Sequence, residues 1–292
     1  MTDAKFILFV FSTILALAGA LGTIASQRPL RAAMSLLVTI IALAGLYLTL
    51  HAQMLAAIQL LVYAGAIVVL FVFVIMLLGP SARTPSSPST LVVRMLSLVG
   101  MAMFTSTVAF SFVGVASEWV SLPETFGTVE GVGLELYTKV LVPFEIVSFT
   151  LTTAWSERSA SRAARRRASS PRPSVKQQRR PQSPNRRSDV MELGLGAYLL
   201  FASVLFGIGA IGFLVRRNAL VQLMSIELML NSVNVVLVAA NRFHPDNHAG
   251  QIFAFFVIAV AAAEAAVGLA ILIALYRLNK TVETDKANLL KN

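Results

Sequence analysis

Residues 219–240 read ALVQLMSIELMLNSVNVVLVAA, an apolar run that contains a single acidic residue. At about 1.5 Å of rise per residue, a helix of this length crosses the ~30 Å hydrocarbon core of a bilayer. Glu227, Asn231 and Asn234 are spaced by four and three residues, so they share one face of that helix. A carboxyl group in hydrocarbon is costly, so this face should point into a bundle or a hydrated cavity. A functional acid and a neutral one that only links helices both fit this pattern.

Runs of similar length lie on both sides of this one. The chain has 292 residues, of which 57% are hydrophobic and only 13% charged, which excludes an ordinary soluble domain. The absence of cysteine excludes disulfides and cysteine-ligated iron–sulfur clusters within this chain. We predict an all-α, polytopic transmembrane bundle of about seven or eight spans, in two units joined by a linker. Seven spans are predicted at 6–25, 33–50, 54–78, 95–115, 193–214, 219–240 and 251–276.

The linker is a short basic segment. Residues 157–189 hold 11 of the 24 basic residues of the chain, with almost no aliphatic and no aromatic residues. Such a segment has nothing to bury and is predicted to be disordered. It lacks the aromatic residues on which bases stack, and it adjoins membrane spans, so a nucleic-acid partner is not expected.

The positions of the basic residues predict the orientation of the spans. Arg28 follows the first span, and Arg216 and Arg217 follow the fifth predicted one, so both loops should be cytoplasmic. Each half should therefore begin outside. The run 140–155 is short for a span, and whether or not it crosses, one group of basic residues lies on the unfavourable side. We interpret this conflict as a sign that two independently inserted proteins were joined.

A second acid lies near the middle of the last predicted span. Glu264 is surrounded by alanines in FFVIAVAAAEAAVGLAILIALY, and small residues allow helices to approach closely. We therefore expect this acid to pack against a neighbouring helix. Two acids on adjacent helices, with no basic residue inside either span, favour a proton relay over a simple interhelical contact.

Three further patterns are weaker. Tyr63 lies beside small residues in the third span, which fits either a hinge or an ordinary buried tyrosine. The G-x-G-x-x-G at 207–212 lies inside an apolar helix with no strand before it, which favours helix packing over a dinucleotide site. The sequence HPDNH at 244–248 contains residues that bind metals, but its position in a loop does not favour a metal site.

The segment 191–292 resembles subunit K of the bacterial proton-pumping NADH–quinone oxidoreductase, respiratory complex I. The matching residues are SIELMLNSVN at 225–234 and the glutamate in the alanine-rich third helix, and Met191 falls where a separate subunit would begin. The resemblance implies that Glu227 and Glu264 are the acids of a proton path. It also implies that Arg216 and Arg217 form a cytoplasmic loop.

Residues 1–149 resemble subunit J of the same complex. The resemblance rests on RPLRAAMSLL, on LVYAGAIVVLFVFVIMLL in the third span and on LYTKVLVPFE. It implies a π-bulge at Tyr63–Val68 that winds and unwinds during coupling, with Tyr63 and Gly65 in the hinge. Glu145 corresponds to the acid that opens the last helix of that family. The match fails after about Phe149, so we hypothesise a frameshift or a gene fusion that destroyed the fifth helix.

The resemblance implies a membrane-arm subunit of this complex in the bacterial inner membrane. It predicts a subunit J-like domain at 1–155, a linker at 156–190 and a subunit K-like domain at 191–292. No cofactor is expected in this chain, since flavin, iron–sulfur clusters and quinone would belong to partner subunits. The expected partners are antiporter-like and quinone-site subunits and the lipid bilayer. The alternatives are a subunit of a multisubunit cation/proton antiporter or membrane-bound hydrogenase, and a purely structural role.

Overall fold

The computed structural model describes residues 2–79, 122–149 and 194–284. Within these ranges the regular structure is helical, and the one β-bridge pairs Asn218 with Glu283. The all-α prediction is therefore confirmed. The predicted span at 95–115 and the linker at 156–190 lie outside the described residues.

Six of the described helices are long and apolar enough to cross a membrane. In the first half these are α1 (Thr2–Ala25), α2 (Pro29–Thr49) and a third span made of α3 (Gln53–Ile58), a π-helix (Gln59–Ile67) and α4 (Val68–Leu78). Two shorter helices follow, α5 (Val129–Lys139) and α6 (residues 141–149). The second half contains α7 (Leu195–Val215), α8 (Ala219–Phe243) and α9 (Ala249–Asn279).

These spans agree with the predicted ones except near their ends. The second was predicted to begin at residue 33, but α2 begins at Pro29, so Arg31 lies in its first turn. Proline favours this position because its ring sets the helical φ angle and its missing N–H would have no partner there. Apolar periodicity alone does not detect such a polar first turn.

The helices of the two halves share one hydrophobic core. Leu43 and Tyr47 of α2, Leu205 of α7 and Leu228 of α8 are all at most 1% exposed and belong to the same cluster. Phe9 of α1 packs edge-on against Tyr198 of α7, with ring centroids 4.8 Å apart. The two units are therefore packed together as one bundle, which the interpretation of independently inserted proteins did not predict.

The bundle has two polar ends. The arginine end comprises residues 26–31, 216–218 and 277–284, and the histidine end comprises residues 49–53, 122–140 and 244–248, which hold all three histidines of the chain. The start of α1 contacts the start of α7, and Arg216 at the end of α7 hydrogen-bonds to Ile24 at the end of α1. These contacts confirm that the two halves run in the same direction.

The short run at 140–155 is helical over the part that is described. Phe144 of α6 lies 6.5 Å from Phe255, near the beginning of α9, so α6 starts close to the histidine end. Most of the side chains of α6 are exposed, including Glu145. Over residues 141–149 the predicted truncated fifth span is thus a helix at the periphery of the bundle.

Candidate functional site

The polar face of α8 is buried inside the bundle. Glu227, Asn231 and Asn234 are 3%, 1% and 0% exposed, so the helical spacing correctly grouped all three. The amide nitrogen of Asn231 donates to the backbone carbonyl of Glu227 at 2.8 Å, which fixes the orientation of the asparagine. These three polar side chains therefore lie in the interior of the bundle, in the middle part of α8.

A side chain from the first half of the chain hydrogen-bonds to this polar face of α8. Gln59, the first residue of the π-helix, is 0% exposed, and its Nε2 donates to Oδ1 of Asn231 at 2.6 Å. A hydrogen bond between two buried side chains fixes the relative position of the helices that carry them. We call Gln59, Tyr63, Glu227, Asn231 and Asn234 the central polar cluster.

Tyr63 lies next to the Glu227 carboxyl. It is 0% exposed, and its hydroxyl approaches both Glu227 and Asn231 without forming a hydrogen bond of good geometry among the described residues. Tyr47 of α2, which is also fully buried, lies within electrostatic range of Tyr63. The central polar cluster thus contains one carboxyl group surrounded by neutral donors and acceptors.

Several atoms of this cluster have no protein partner among the described residues. They are Glu227 Oε2, Gln59 Oε1, the Tyr63 hydroxyl and both side-chain polar atoms of Asn234. Buried polar atoms are almost always hydrogen-bonded, and where protein atoms do not serve, ordered water does. The chemistry of this interior therefore suits bound water and proton exchange.

The π-helix covers the region where the resemblance implied a bulge. It runs from Gln59 to Ile67, so it includes Tyr63 and Gly65 but begins before Tyr63 and ends one residue before Val68. Its buried residues are Gln59, Tyr63 and Ile67, whereas Gly65 is exposed on the opposite side. A Cβ atom at Gly65 would be 3.6 Å from the Leu60 carbonyl oxygen, so packing does not require glycine here.

Glu264 has a different environment. It is exposed on α9, between the exposed residues Val260 and Val267, while Ala261 and Ala265 form the buried side of the helix. The expectation that Glu264 packs against a neighbouring helix is therefore wrong for the part of the chain that the structure describes. Ala261 and Ala265 do allow close approach on the buried side of α9, but the Glu264 side chain beside them is exposed. Glu264 remains within electrostatic range of Glu227.

Arg216 and Arg217 occupy the α7–α8 loop and have different contacts. The guanidinium group of Arg216 donates to the carbonyl oxygens at the end of α1, with its Nε 2.7 Å from that of Ile24. The carbonyl of Arg217 accepts from the backbone N–H of Thr284 at 3.0 Å, while its side chain is exposed. Arg216 thus caps a helix of the other half, and Arg217 holds the segment that follows α9.

A second contact between the halves lies at the histidine end. Glu135 Oε2 accepts from the backbone N–H of His248 at 2.7 Å, and Lys139 donates to Oε1 at 3.0 Å. Burial opposes ionisation of Glu135, but the hydrogen bonds from Lys139 and His248 outweigh it and hold the pKa below its ordinary value. Burial, together with the positive charges of Lys5 and Arg242, lowers the pKa of His51 to about 4.

The other residues that the sequence singled out do not belong to the central polar cluster. Glu145 lies on the exposed surface of α6, whereas Glu227 is buried inside the bundle. In the 244–248 loop, His248 bonds to Glu135, and the described residues contain no group of three side chains suited to a metal. Gly209 and Gly212 face Ser225 of α8, which agrees with the helix-packing interpretation.

Sequence reasoning missed Gln59 and Tyr47. Gln59 is a polar residue one turn before Tyr63 in an apolar run, which is a detectable signal because polar residues inside spans face the interior of a bundle. Tyr47 lies near the end of its span and gave no such signal.

Two family models match the chain. NADH-ubiquinone/plastoquinone oxidoreductase chain 6 matches residues 19–156, and chain 4L matches residues 197–292. The first match continues beyond Phe149, where the resemblance was expected to fail. Together the two matches leave the predicted linker unmatched, in agreement with the division into two units.

Curated relatives match the second half of the chain. The NADH-quinone oxidoreductase subunit K of Sorangium cellulosum is 70% identical over 95 residues, which are 32% of this chain and 92% of the relative. That of Geobacillus kaustophilus is 57% identical over 100 residues, 34% of this chain and 98% of the relative. These matches favour NADH–quinone oxidoreductase over the cation/proton antiporter and the hydrogenase. With both halves matched and six helices of spanning length, the chain belongs to the NADH-quinone oxidoreductase subunit K family and is a multi-pass membrane-arm subunit of respiratory complex I.

Proposed function

We propose that the chain joins a subunit J-type protein to a subunit K-type protein, and that it carries protons through the membrane arm during NADH oxidation. The observation that carries this proposal is the buried carboxyl of Glu227, surrounded by polar groups from both halves of the chain. A carboxyl group can hold and release a proton, and acids inside membranes are typical of proton paths. Asn231, Asn234 and Tyr63, with bound water, would transmit the proton to and from it.

Glu264 would be the second acid of the path. Its exposure on α9 means that it would face either lipid or another subunit, and an acid facing lipid is disfavoured. A neighbouring membrane-arm subunit would therefore cover it, with antiporter-like and quinone-site subunits as the partners of the chain. Flavin, iron–sulfur clusters and quinone would belong to those and other subunits.

Tyr63 and Gly65 would form the coupling hinge. A π-helix is less stable than an α-helix and often marks a functional site. Rewinding of the segment 59–67 would move the Tyr63 hydroxyl relative to Glu227, which would connect or interrupt the proton path. Arg216 and Arg217 would hold the cytoplasmic loop in place, and Glu145, distant from the cluster, would act only at the surface.

The proton-carrying role is tested with Glu227→Gln in the assembled complex. We expect electron transfer from NADH to quinone to be partly retained. NADH-driven proton transport should fall by about tenfold or more, because a positioned proton-transfer group is lost. Proton transport into vesicles and NADH oxidation are measured on the same preparation. Glu130→Gln, which removes an exposed acid of α5, is the matched control. Unchanged proton transport in a fully assembled Glu227→Gln complex would exclude the role.

The fusion is tested by tagging the C-terminus and weighing the tagged chain from purified membranes. A species near 31.4 kDa that co-purifies with flavin and iron–sulfur subunits is expected for a working fusion. A species of about a third of that mass would mean that translation starts at Met191. In that case the second half alone is the functional subunit, and the linker reflects a shifted reading frame.

A further inference from the structure

The buried hydrogen bond between Gln59 and Asn231 joins the π-helix to the helix that carries Glu227. Its donor and acceptor are 2.6 Å apart, and both residues are at most 1% exposed. Asn231 is held from two sides, because its Oδ1 accepts from Gln59 while its Nδ2 donates to the Glu227 carbonyl. Both functional groups of the Asn231 amide are therefore used, and its orientation depends on Gln59.

Gln59 is also the first residue of the π-helix, so its hydrogen bond to Asn231 connects the start of that helix to α8. The buried residues of this π-helix are Gln59, Tyr63 and Ile67, so Gln59 lies on the same buried side as Tyr63. Fixing Gln59 to α8 therefore fixes the start of the segment that presents Tyr63 to Glu227.

We propose that Gln59 is a positioning residue of the proton path, which aligns the π-helix with Glu227 through its hydrogen bond to Asn231. Without this bond, the Tyr63 hydroxyl would no longer be held beside the Glu227 carboxyl, even if the helices stayed packed. This inference rests on the proton-carrying role proposed for Glu227. Gln59 itself carries no proton, since an amide side chain does not titrate at physiological pH.

Two variants of Gln59 test the proposal in the assembled complex. Gln59→Leu removes the donor at similar size, and we expect proton transport per NADH oxidised to fall at least threefold while the complex still assembles. Gln59→Glu keeps the donor only when the carboxyl is protonated, so we expect its proton transport to approach wild type at acidic pH and to fall as the pH rises. The ionisable side chains of the same cluster are Tyr63 and Glu227, and those within electrostatic range of these two are Tyr47 and Glu264.

The controls separate this inference from the proposed function. Gln53→Leu changes an exposed glutamine at the start of α3 and should leave the proton-to-NADH ratio unchanged. If Gln59→Leu does not assemble, the pH profile of Gln59→Glu decides alone, because a purely structural glutamine predicts the wild-type profile. A wild-type ratio in Gln59→Leu, or a wild-type profile in Gln59→Glu, overturns the inference. If Glu227→Gln, measured alongside, loses proton transport as expected, the proposed function stands whatever the result for Gln59. If Glu227→Gln transports protons normally, the proposed function and the role of Gln59 both fail.

Discussion

Glu227 and Glu264 are the same residue type on neighbouring membrane helices, yet the fold gives them opposite environments. Glu227 is 3% exposed and lies among polar groups from both halves, whereas Glu264 is exposed between valines on the outer face of α9. The spacing of polar residues identified the buried face of α8 because three polar side chains marked it. A single acid among alanines gave no comparable indication, because alanine occurs on both faces of α9.

The largest expected difference follows from shortening each acid by one methylene group. In Glu227→Asp the carboxyl moves away from neighbours that are fixed in place, and since a misplacement of about 1 Å can cost about a hundredfold, we expect proton transport to fall by about tenfold or more. Glu264→Asp should lose less than about threefold, because none of the described residues fixes its carboxyl by a hydrogen bond. Both are measured as protons transported per NADH oxidised. Equal losses would contradict the distinction between the two environments.

An intermediate effect is expected from Gly65→Ala, a substitution on the exposed side of the π-helix that contains Tyr63. Gly65→Ala meets no close neighbour, but alanine favours an α-helix by about 1 kcal/mol over glycine. We therefore expect normal assembly with proton-coupled turnover slowed by up to about fivefold, since 1.4 kcal/mol corresponds to a factor of ten. Turnover and assembly are measured separately.

Gly19→Ala is the matched control for this change. A Cβ atom at Gly19 would lie 2.8 Å from the backbone oxygen of Ser35 and 2.9 Å from the backbone nitrogen of Thr39, so this variant should impair assembly of α1 with α2. If Gly65→Ala impaired assembly as Gly19→Ala does, glycine at residue 65 would serve packing, and the hinge role would lose its support.

The smallest effect is expected at the histidine end, where Glu135 joins the two halves and its partner Lys139 is exposed. Glu135→Gln should lower the thermal stability of the complex only slightly, since partly exposed ion pairs contribute up to about 1 kcal/mol. The pKa of Glu135 is lowered in the folded state, so its contribution is present above the ordinary value of 4.5 and is lost as the pH falls below it. The difference between wild type and Glu135→Gln should therefore be greatest near neutral pH and vanish in acid. The same difference at pH 7 and in acid would show that the contact does not depend on charge.

The spans and the central polar cluster were largely predictable from the sequence, for a physical reason. Apolar length determines which helices cross a bilayer, and a polar stripe such as Glu227, Asn231 and Asn234 can be accommodated only inside a bundle. The contacts between distant segments were not predictable, because Gln59 and Asn231 are brought together by packing rather than by spacing. The sequence likewise left open whether Tyr63 is a hinge residue or an ordinary buried tyrosine, because its neighbours on α8 are distant along the chain. The roles of both acids and of the hinge remain predictions.

The common hydrophobic core has a consequence for the peptide connection between the halves. Since the described helices already bind each other through buried side chains, a covalent tether adds only a higher local concentration and an equal number of copies of the two halves. Separate expression of residues 1–155 and 191–292 in the same cell should therefore yield a noncovalent pair with the same interior contacts. The peptide connection would thus ensure that the two halves are made in equal amounts, without changing how they pack.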